Sequence, residues 1–295
     1  MKIIKFHRLG HWLLLFVTTL LVAEGGVRAL GLVDFPLYDA DAQIGYIPAA
    51  NQQGSFLRKN DWAFNTLHMG AGAFAPGPGH DVLLVGDSVV YGGNGYRQQD
   101  RLGPGLQALV QGTGGSVWPI SAGSWALRNE LAYLRQHPQV LTQVDQVVFV
   151  LNSGDFGEAS SWSCEATHPR TRPVVALWYL FNKYVYAVEK CGQVPKGLQM
   201  PPGDLAAELQ TFLAEHTGKA SFVLYPDRAE LVNPALETEH FATGRALLAA
   251  AGAPNVVRVA GDSRWSSLYY KDAIHPTPEG NRVLAAILAS QIDSN

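Results

Sequence analysis

A serine follows an apolar segment in the stretch from Leu83 to Gly92, which reads LLVGDSVVYG. The apolar residues predict a buried strand that ends at Gly86, so Asp87 and Ser88 lie where the strand leaves its sheet. In open α/β folds, ligands bind at this carboxyl edge of the sheet. Ser88 is therefore a candidate nucleophile. A serine hydroxyl is weakly nucleophilic without help, so the rest of the chain must supply a base and oxyanion donors.

A candidate base and its orienting acid occur together in the segment KDAIHPTPEG. Asp272 precedes His275 by three residues, and Pro276 and Pro278 lead into the last helical segment. One short loop can present both side chains, so that Asp272 accepts a hydrogen bond from the imidazole while the other ring nitrogen faces Ser88. Taken singly, each residue is explained by a cap, a turn or a solvated surface. Together with the GDS sequence they predict a Ser-His-Asp triad.

The elements that must position these residues alternate regularly from residue 80 onward. Apolar segments predict five strands, at Asp81 to Val85, Ser116 to Ser121, Gln146 to Leu151, Ala220 to Tyr225 and Asn255 to Ala260. Helical periodicity is found at Leu102 to Val110, Leu127 to Gln136, Val174 to Glu189, Asp204 to Glu215, Thr238 to Ala251 and Pro278 to Ile292. Fully apolar strands that alternate with helices indicate a parallel sheet covered on both faces. We therefore expect a flavodoxin-like three-layer α/β/α sandwich with a five-stranded parallel sheet.

A basic start and the apolar run from Trp12 to Ala23 have the character of an export signal. The apolar stretch becomes long enough to span a membrane over 9–33, provided that Glu24 and Arg28 snorkel or pair near the interface. We predict a signal anchor over 1–33 that leaves the catalytic domain extracytoplasmic, and periplasmic if the source is bacterial. An exported protein whose signal is cleaved is the alternative.

Residues 34–79 are punctuated by glycine and proline between short aromatic runs, which predicts a small β-rich prelude packed on the main domain at 80–295. The prelude either shapes a substrate groove or covers one edge of the sheet.

Cys164 and Cys191, the only cysteines of the sequence, either form a disulfide in an oxidising compartment or remain separate buried thiols. A net charge of -3 with 16% charged residues gives no basic surface for nucleic acid. No cysteine or histidine cluster has metal-ligand spacing, so we expect neither a metal nor a cofactor.

The ordered blocks GDSVVYG and DAIH resemble those of the SGNH or GDSL-type hydrolases, over roughly residues 80 to 295. The resemblance implies a flavodoxin-like fold with Ser88 as the nucleophile, completed by Asp272 and His275. It also implies that the Ser88 N–H serves in the oxyanion hole with a glycine N–H after the second strand. Gly123 in ISAGSW stands at that position, although a tight turn is the alternative explanation for this glycine.

The third block departs from the family. The family commonly has Gly-x-Asn-Asp after the third strand, whereas this chain has LNSGDF. Aligning the block on Asp155 puts Gly154 where the asparagine should be. Asn152 either takes over as an oxyanion donor or only ends the strand. The difference matters because the loss of one such donor typically costs a hundredfold or more in rate, about 3 kcal/mol.

These residues predict a serine-dependent acyl ester hydrolase. Predicted export, the prelude and Trp125, Trp162 and Trp265 favour an O-acetyl esterase that acts on carbohydrate or cell-surface polysaccharide, although packing also explains each tryptophan. The resemblance points the same way, since membrane-anchored relatives of this layout are associated with modifying surface polysaccharides. The alternatives are a polysaccharide O-acetyltransferase with the same triad, a lipid or thioester hydrolase, and a non-catalytic acyl-glycan binding or scaffold protein. The expected partners are an acylated small-molecule, glycan or lipid substrate, and a membrane through the N-terminal helix.

Overall fold

The strands and helices of the chain follow the alternation expected from its sequence. The computed structural model describes residues 3–186 and 191–292. The strands in this part of the chain are β1 (Tyr38–Asp41), β2 (Gly45–Pro48), β3 (Gln52–Phe56), β4 (Asn60–Phe64), β5 (Val82–Gly86), β6 (Val117–Ser121), β7 (Gln146–Leu151), β8 (Ala220–Leu224) and β9 (Val256–Arg258). Its α-helices are α1 (Ile3–Ala29), α2 (Ser88–Tyr91), α3 (Leu102–Val110), α4 (Leu127–Gln136), α5 (Pro138–Leu141), α6 (Ala176–Tyr184), α7 (Leu205–Glu215), α8 (Arg228–Val232), α9 (Pro234–His240), α10 (Ala242–Ala250) and α11 (Pro278–Ile292).

Strands β5 to β9 form one five-stranded parallel sheet in the order β6-β5-β7-β8-β9. Counted within the sheet this is the order 2-1-3-4-5 of flavodoxin-like folds, which confirms the predicted fold class. The register pairs Gly86 of β5 with Ser121 of β6 and with Val150 of β7. Ser88, Gly123 and Asn152 each follow one of these partners by two residues, so the topology brings all three to one point of the carboxyl edge.

Helices cover both faces of the sheet because successive strand residues point to opposite sides. Leu83 and Val85 belong to a core on one face with side chains of α4, α7 and α10, such as Leu131 and Phe212. The next residues in the strand, Val82 and Leu84, belong to a second core shared with α3 and α11. The domain therefore has the three layers expected from the sequence.

The edges and short elements differ from the sequence expectation. Strand β9 is shorter than the predicted 255–260 and lies at the sheet edge, where Val256 is 41% exposed. The predicted helix over 238–251 is two helices, because Asn233 caps a first helix with Pro234 in its first turn and the chain turns at the buried Phe241. Helix α6 ends at Tyr184, and the end of the helix predicted to reach residue 189 lies outside the described residues.

The segment between α1 and β5 forms two antiparallel hairpins, β1 with β2 and β3 with β4. Buried side chains of both hairpins, among them Tyr46 and Trp62, join the core on the α4 face of the sheet. The N–H of Gly70 donates to the carbonyl of Pro119 at 2.9 Å, so the segment also covers the edge strand β6. Proline is tolerated there because an edge strand needs no donor on its outer side. The division of the chain at residues 33 and 79 stays a prediction.

Helix α1 contains one stretch, Gly10–Ala29, that is long and apolar enough to cross a membrane; a signal sequence meets the same criteria. Glu24 and Arg28 form an ion pair at 2.7 Å, which is one of the two arrangements, pairing or snorkelling, that a span over these charges requires. Farther along the chain, a disulfide joins Cys164 and Cys191 within the long segment that connects β7 to α7.

Candidate active site

Ser88 lies at the sharp turn between β5 and α2. Gly86 allows this turn, because a Cβ there would lie 2.5 Å from Val90 Cγ2 and 3.0 Å from the carbonyl oxygen of Val150. The Asp87 carboxylate caps the helix by accepting the Val89 N–H at 2.8 Å. The turn therefore presents Ser88, which is part-buried, at the carboxyl end of the central strand.

His275 is within hydrogen-bond reach of the serine, with its Nε2 atom 3.0 Å from Ser88 Oγ. The backbone around the histidine is held by the main domain. Tyr225, which directly follows β8, donates its hydroxyl to the carbonyl of Ile274 at 2.7 Å, and the Lys271 N–H donates to the carbonyl of His275 at 2.9 Å. The side chain can take a proton from the serine without rearrangement of the loop.

Asp272 orients the imidazole from the opposite side. Both of its carboxylate oxygens lie 3.0 Å from His275 Nδ1. One oxygen also accepts the N–H of His275 at 2.8 Å and that of Ile274 at 3.1 Å. Burial raises the pKa of the carboxyl, but these backbone donors and the imidazole outweigh it and the pKa is lowered. The three residues predicted from the sequence thus have the geometry of a Ser-His-Asp triad.

Backbone N–H groups beside Ser88 can form an oxyanion hole. The Ser88 N–H belongs to the first turn of α2, where N–H groups lack an acceptor within the helix. Gly123 follows β6 and is close to the serine, since a Cβ on it would lie 4.0 Å from Ser88 Cβ. Its carbonyl accepts the hydroxyl of Tyr46 at 2.6 Å, which fixes the peptide next to the serine. The positive φ in this turn belongs to Ser124, at 61°, so the turn itself does not explain the glycine.

Asn152 reaches the site indirectly, through Asp87. Its side-chain amide donates to Asp87 Oδ2 and to Asp155 Oδ1, each at 2.9 Å. Its Oδ1 accepts the Gly154 N–H at 2.7 Å. Gly154, which the resemblance noted from the sequence places where an asparagine is expected, has no side chain that could donate. Donation by Asn152 to an oxyanion therefore requires its amide to leave one of the two carboxylates.

Three acidic side chains lie together behind the nucleophile, which sequence reasoning did not identify. Asp87, Glu130 and Asp155 are all buried, and among the described residues neither carboxyl oxygen of Glu130 has a hydrogen-bond partner. Burial raises the pKa of all three carboxyls, and the charge of Asp87 raises those of Glu130 and Asp155 further. The sequence does contain a pattern that predicts the burial of Glu130, because this residue lies three positions after Leu127 and four before Leu134, on the buried face of α4.

The three tryptophans that the sequence offered in support of a carbohydrate substrate are buried, so packing, the alternative explanation, holds for each of them. Trp125, Trp162 and Trp265 are each at most 5% exposed. Each indole N–H donates inside the protein, to the Tyr46 carbonyl, the His168 carbonyl and the Tyr270 hydroxyl respectively. They are packing residues whose faces are unavailable to a ligand, because an aromatic ring with a polar N–H can be satisfied within a core.

Within the described ranges, 3–186 and 191–292, no group of three or more His, Cys, Asp or Glu side chains is arranged so that it could hold a metal ion.

No protein-family model and no curated protein matches this sequence. Among solved structures, the chain is similar to TesA, with 16% identity and a TM-score of 0.41 over 72% of this chain and 98% of TesA. The acetylxylan esterase Axe2 from Geobacillus stearothermophilus shows 14% identity and a TM-score of 0.38, over 74% and 96% of the two chains. A lipolytic protein of the G-D-S-L family from Desulfitobacterium hafniense shows 14% identity and a TM-score of 0.39, over 72% and 99%. At such identities the similarity concerns the fold alone.

Proposed function

We propose that this protein is a serine-dependent acyl ester hydrolase. The observation that carries the proposal is the hydrogen-bonded series from Ser88 Oγ through His275 to Asp272, at 3.0 Å for each link. A binding module has no chemical need for a base held between a serine and a carboxylate. The turn that exposes the serine and the loop that carries the histidine come from distant parts of the chain, so the arrangement is not a local accident.

The reaction proceeds through an acyl-enzyme. His275 accepts the Ser88 proton as Oγ forms a bond to the ester carbonyl carbon, and Asp272 stabilises the imidazolium. The N–H groups of Ser88 and Gly123 donate to the oxyanion, with Asn152 as a third donor once its amide leaves a carboxylate. The imidazolium returns the proton to the departing alkoxide. Water, deprotonated by His275, then releases the acyl group as a carboxylic acid and restores the serine.

For the substrate, we propose an O-acetyl ester on a carbohydrate or cell-surface polysaccharide. The support is the openness of the triad, in which the side chains of His275 and Asp272 are 30% and 48% exposed. An open site accepts an ester carried on a bulky polymer, whereas a long acyl chain is usually bound in an enclosed apolar pocket. Because the three tryptophans are buried, their rings cannot stack on a sugar, and they do not support a carbohydrate substrate.

We also propose that the domain works outside the cytoplasm, anchored by α1. The apolar stretch Gly10–Ala29 has the length of a membrane span. The disulfide between Cys164 and Cys191 fits an oxidising compartment. Cleavage of the signal would release the same domain in soluble form, and the length of the mature chain from its native host distinguishes the two.

The proposed activity is tested on the full chain in detergent with an activated acetyl ester. The wild type should turn over and be labelled by a serine-directed phosphonate, and Ser88→Ala should lose labelling and at least about a thousandfold in kcat. Ser263→Ala, which alters an exposed serine in a separate loop, is the matched control and should behave as wild type. Labelling of Ser88→Ala would show that another residue is the nucleophile.

The proposed substrate is tested by comparing acetylated polysaccharides with acetyl and longer-chain esters of one chromogenic alcohol. We expect acetate release from the polymer and a fall in kcat/KM as the acyl chain lengthens. A preference for long acyl chains would identify a lipid esterase instead. Acetate that appears on an added sugar acceptor, rather than in solution, would identify a transferase.

A further inference from the structure

Large apolar side chains face solvent on α6, next to the proposed anchor. Trp178 is 63% exposed and Tyr184 is 66% exposed, and Val174, just before the helix, is 93% exposed. Phe181 and Tyr186 add to the same patch. Isolated apolar residues on a surface need no explanation, but a contiguous patch of this kind marks an interaction surface.

Charged side chains of α1 fix α6 in place. The two carboxylate oxygens of Glu24 accept the N–H groups of Ala176 at 2.8 Å and Leu177 at 2.9 Å, and so cap the start of α6. Arg28 donates to two carbonyl oxygens that directly precede the helix, those of Pro173 at 3.0 Å and Val174 at 2.8 Å. The end of α1 and the start of α6 are therefore one structural unit.

The same unit is tied to the main domain without a loose linker. Val33 and Phe35, which follow α1 closely, are buried together with Ala176 of α6. Arg172 donates to the carbonyl of Val33 at 2.9 Å and also to that of Phe35. The orientation of α6 relative to α1 is thus set by contacts on both sides of the helix.

An open apolar groove of about 900 Å³ lies between α1 and α6. Leu20 and Leu21 line it from α1, and Trp178 and Phe181 line it from α6. Among the described residues that line the groove, Glu24 is the one that carries a charge, and its carboxylate accepts the N–H groups that cap α6. Leu20 and Leu21 also lie within the stretch Gly10–Ala29 that can span a membrane.

We propose that the exposed face of α6 docks into the bilayer that α1 crosses, with acyl chains of the nearer leaflet filling the groove. A bilayer that surrounds Leu20 and Leu21 necessarily reaches the groove they line. Trp178 and Tyr184 are of the types enriched at membrane-water interfaces, and an apolar helix face commonly lies in that plane. The occupant is lipid, because the groove is continuous with the lipid-facing surface of the anchor. The proposal rests on the proposed anchoring by α1 and goes beyond it.

Tryptophan fluorescence of the full chain in nanodiscs tests both parts. The lipid is phosphatidylcholine with bromine on the acyl chains near the headgroups, which quenches nearby indoles, compared with unbrominated lipid. Trp12 reports on α1 and Trp178 on α6, while the remaining tryptophans are buried in the prelude or the main domain and give the unquenched background. Trp12→Phe, Trp178→Phe and the double variant separate the two signals. Both side chains are exposed, so neither change should disturb folding.

We expect Trp12→Phe to retain quenching and the double variant to lose it. Quenching in Trp178→Phe together with none in Trp12→Phe would mean that α1 is inserted and α6 is not, which overturns the docking while leaving the anchor. Absence of quenching in both single variants would overturn the anchor and the docking together.

A photo-crosslinking residue at Phe181 identifies the occupant of the groove directly. Adducts with lipid support the proposal. Crosslinks to a second copy of the chain, or to another membrane protein in native membranes, without lipid adducts would overturn it.

Discussion

Asp272 is the residue of the triad whose contribution can be isolated most cleanly. Burial raises the pKa of its carboxyl, but the N–H groups of His275 and Ile274 and the imidazole itself lower it by more. The carboxylate consequently stays charged in mildly acidic solution. It can hold the Nδ1 proton and stabilise the imidazolium that forms when Ser88 attacks.

Asp272→Asn should lower kcat by about 10⁴-fold, because an amide at this position no longer selects the tautomer in which Nε2 accepts the serine proton. The melting temperature should stay close to that of the wild type, since the position is half exposed. Steady-state hydrolysis of an activated acetyl ester measures the effect. Glu279→Gln, at an acid of similar exposure, is the control. A retained kcat would mean that another acid orients His275.

Asn152 stabilises the folded protein through its hydrogen bonds to Asp87 and Asp155, and this effect must be measured separately from its proposed role as an oxyanion donor. Removing its amide in Asn152→Ala leaves Asp87 and Asp155 without their shared donor, which should cost about 1–3 kcal/mol of unfolding free energy. If the amide also reaches the oxyanion, kcat should fall by about a hundredfold. Denaturant unfolding and turnover measure the two effects on one sample.

Asn65→Ala provides the control for Asn152→Ala. Asn65 is buried, and its amide donates to the Gly72 carbonyl at 2.8 Å in the prelude, away from the triad. The Asn65→Ala variant should have a lower free energy of unfolding than the wild type and an unchanged kcat. If Asn152→Ala also keeps its kcat, the oxyanion hole consists of the N–H groups of Ser88 and Gly123.

The triad could be predicted from the sequence because its members lie in short, ordered motifs, whereas the role of Asn152 could not. Its side chain has a choice between an oxyanion and two carboxylates, and the sequence does not show that Asp87 lies within 2.9 Å of it. Trp125 illustrates the same limit. Its position after β6 suggested an exposed aromatic face, but a backbone carbonyl of the prelude accepts its indole N–H and buries it.

At the scale of elements, the β1–β2 hairpin contributes to the site through one hydroxyl. Tyr46 donates to the Gly123 carbonyl at 2.6 Å and so orients the peptide that carries the proposed oxyanion donor. Tyr46→Phe should lower kcat by about tenfold, which corresponds to roughly 1.4 kcal/mol of transition-state stabilisation, with little change in KM.

Tyr133→Phe is the matched control for Tyr46→Phe. Tyr133 is also buried and also donates to a carbonyl, that of Leu67 at 2.8 Å, but it lies away from Ser88. Both variants should lose about 1 kcal/mol of stability from the missing hydrogen bond. Equal kcat values in the two variants would show that the hairpin only covers the sheet.

The boundaries of the central strands followed from the sequence because every residue of β5 to β8 is buried, which produces unbroken apolar runs. Strand β9 was overestimated because the apolar run continues beyond Arg258 to Val259, which is buried but belongs to a 3₁₀ turn after the strand. The cap of α6 by Glu24 joins residues about 150 positions apart, and local patterns contain no information on such a contact. The pairing of Glu24 with Arg28, four residues away, was within reach of the sequence.

For the molecule as a whole, the buried carboxyls of Asp87, Glu130 and Asp155 make stability depend on pH. Their pKa values are raised in the folded state, mainly by burial. Below the ordinary carboxyl range both the folded and unfolded states are protonated, so the full stability is present. As the pH rises through and above that range, the unfolded chain releases these protons first. The free energy of unfolding then falls by up to about 1.4 kcal/mol per pH unit for each group.

Glu130→Gln tests this dependence because glutamine has nearly the same shape and no charge. Above the ordinary carboxyl range, the free energy of unfolding of the wild type should fall more steeply with rising pH than that of the variant, by at most about 1.4 kcal/mol per pH unit. The difference isolates Glu130 from groups such as Asp262, whose pKa is lowered by its hydrogen bonds with Arg264 and which has the opposite pH dependence. Denaturant unfolding at several pH values measures both slopes, with the exposed Glu239→Gln as control. Equal slopes for wild type and Glu130→Gln would show that Glu130 is ionised in the folded protein, and would require a cation or donor beside it.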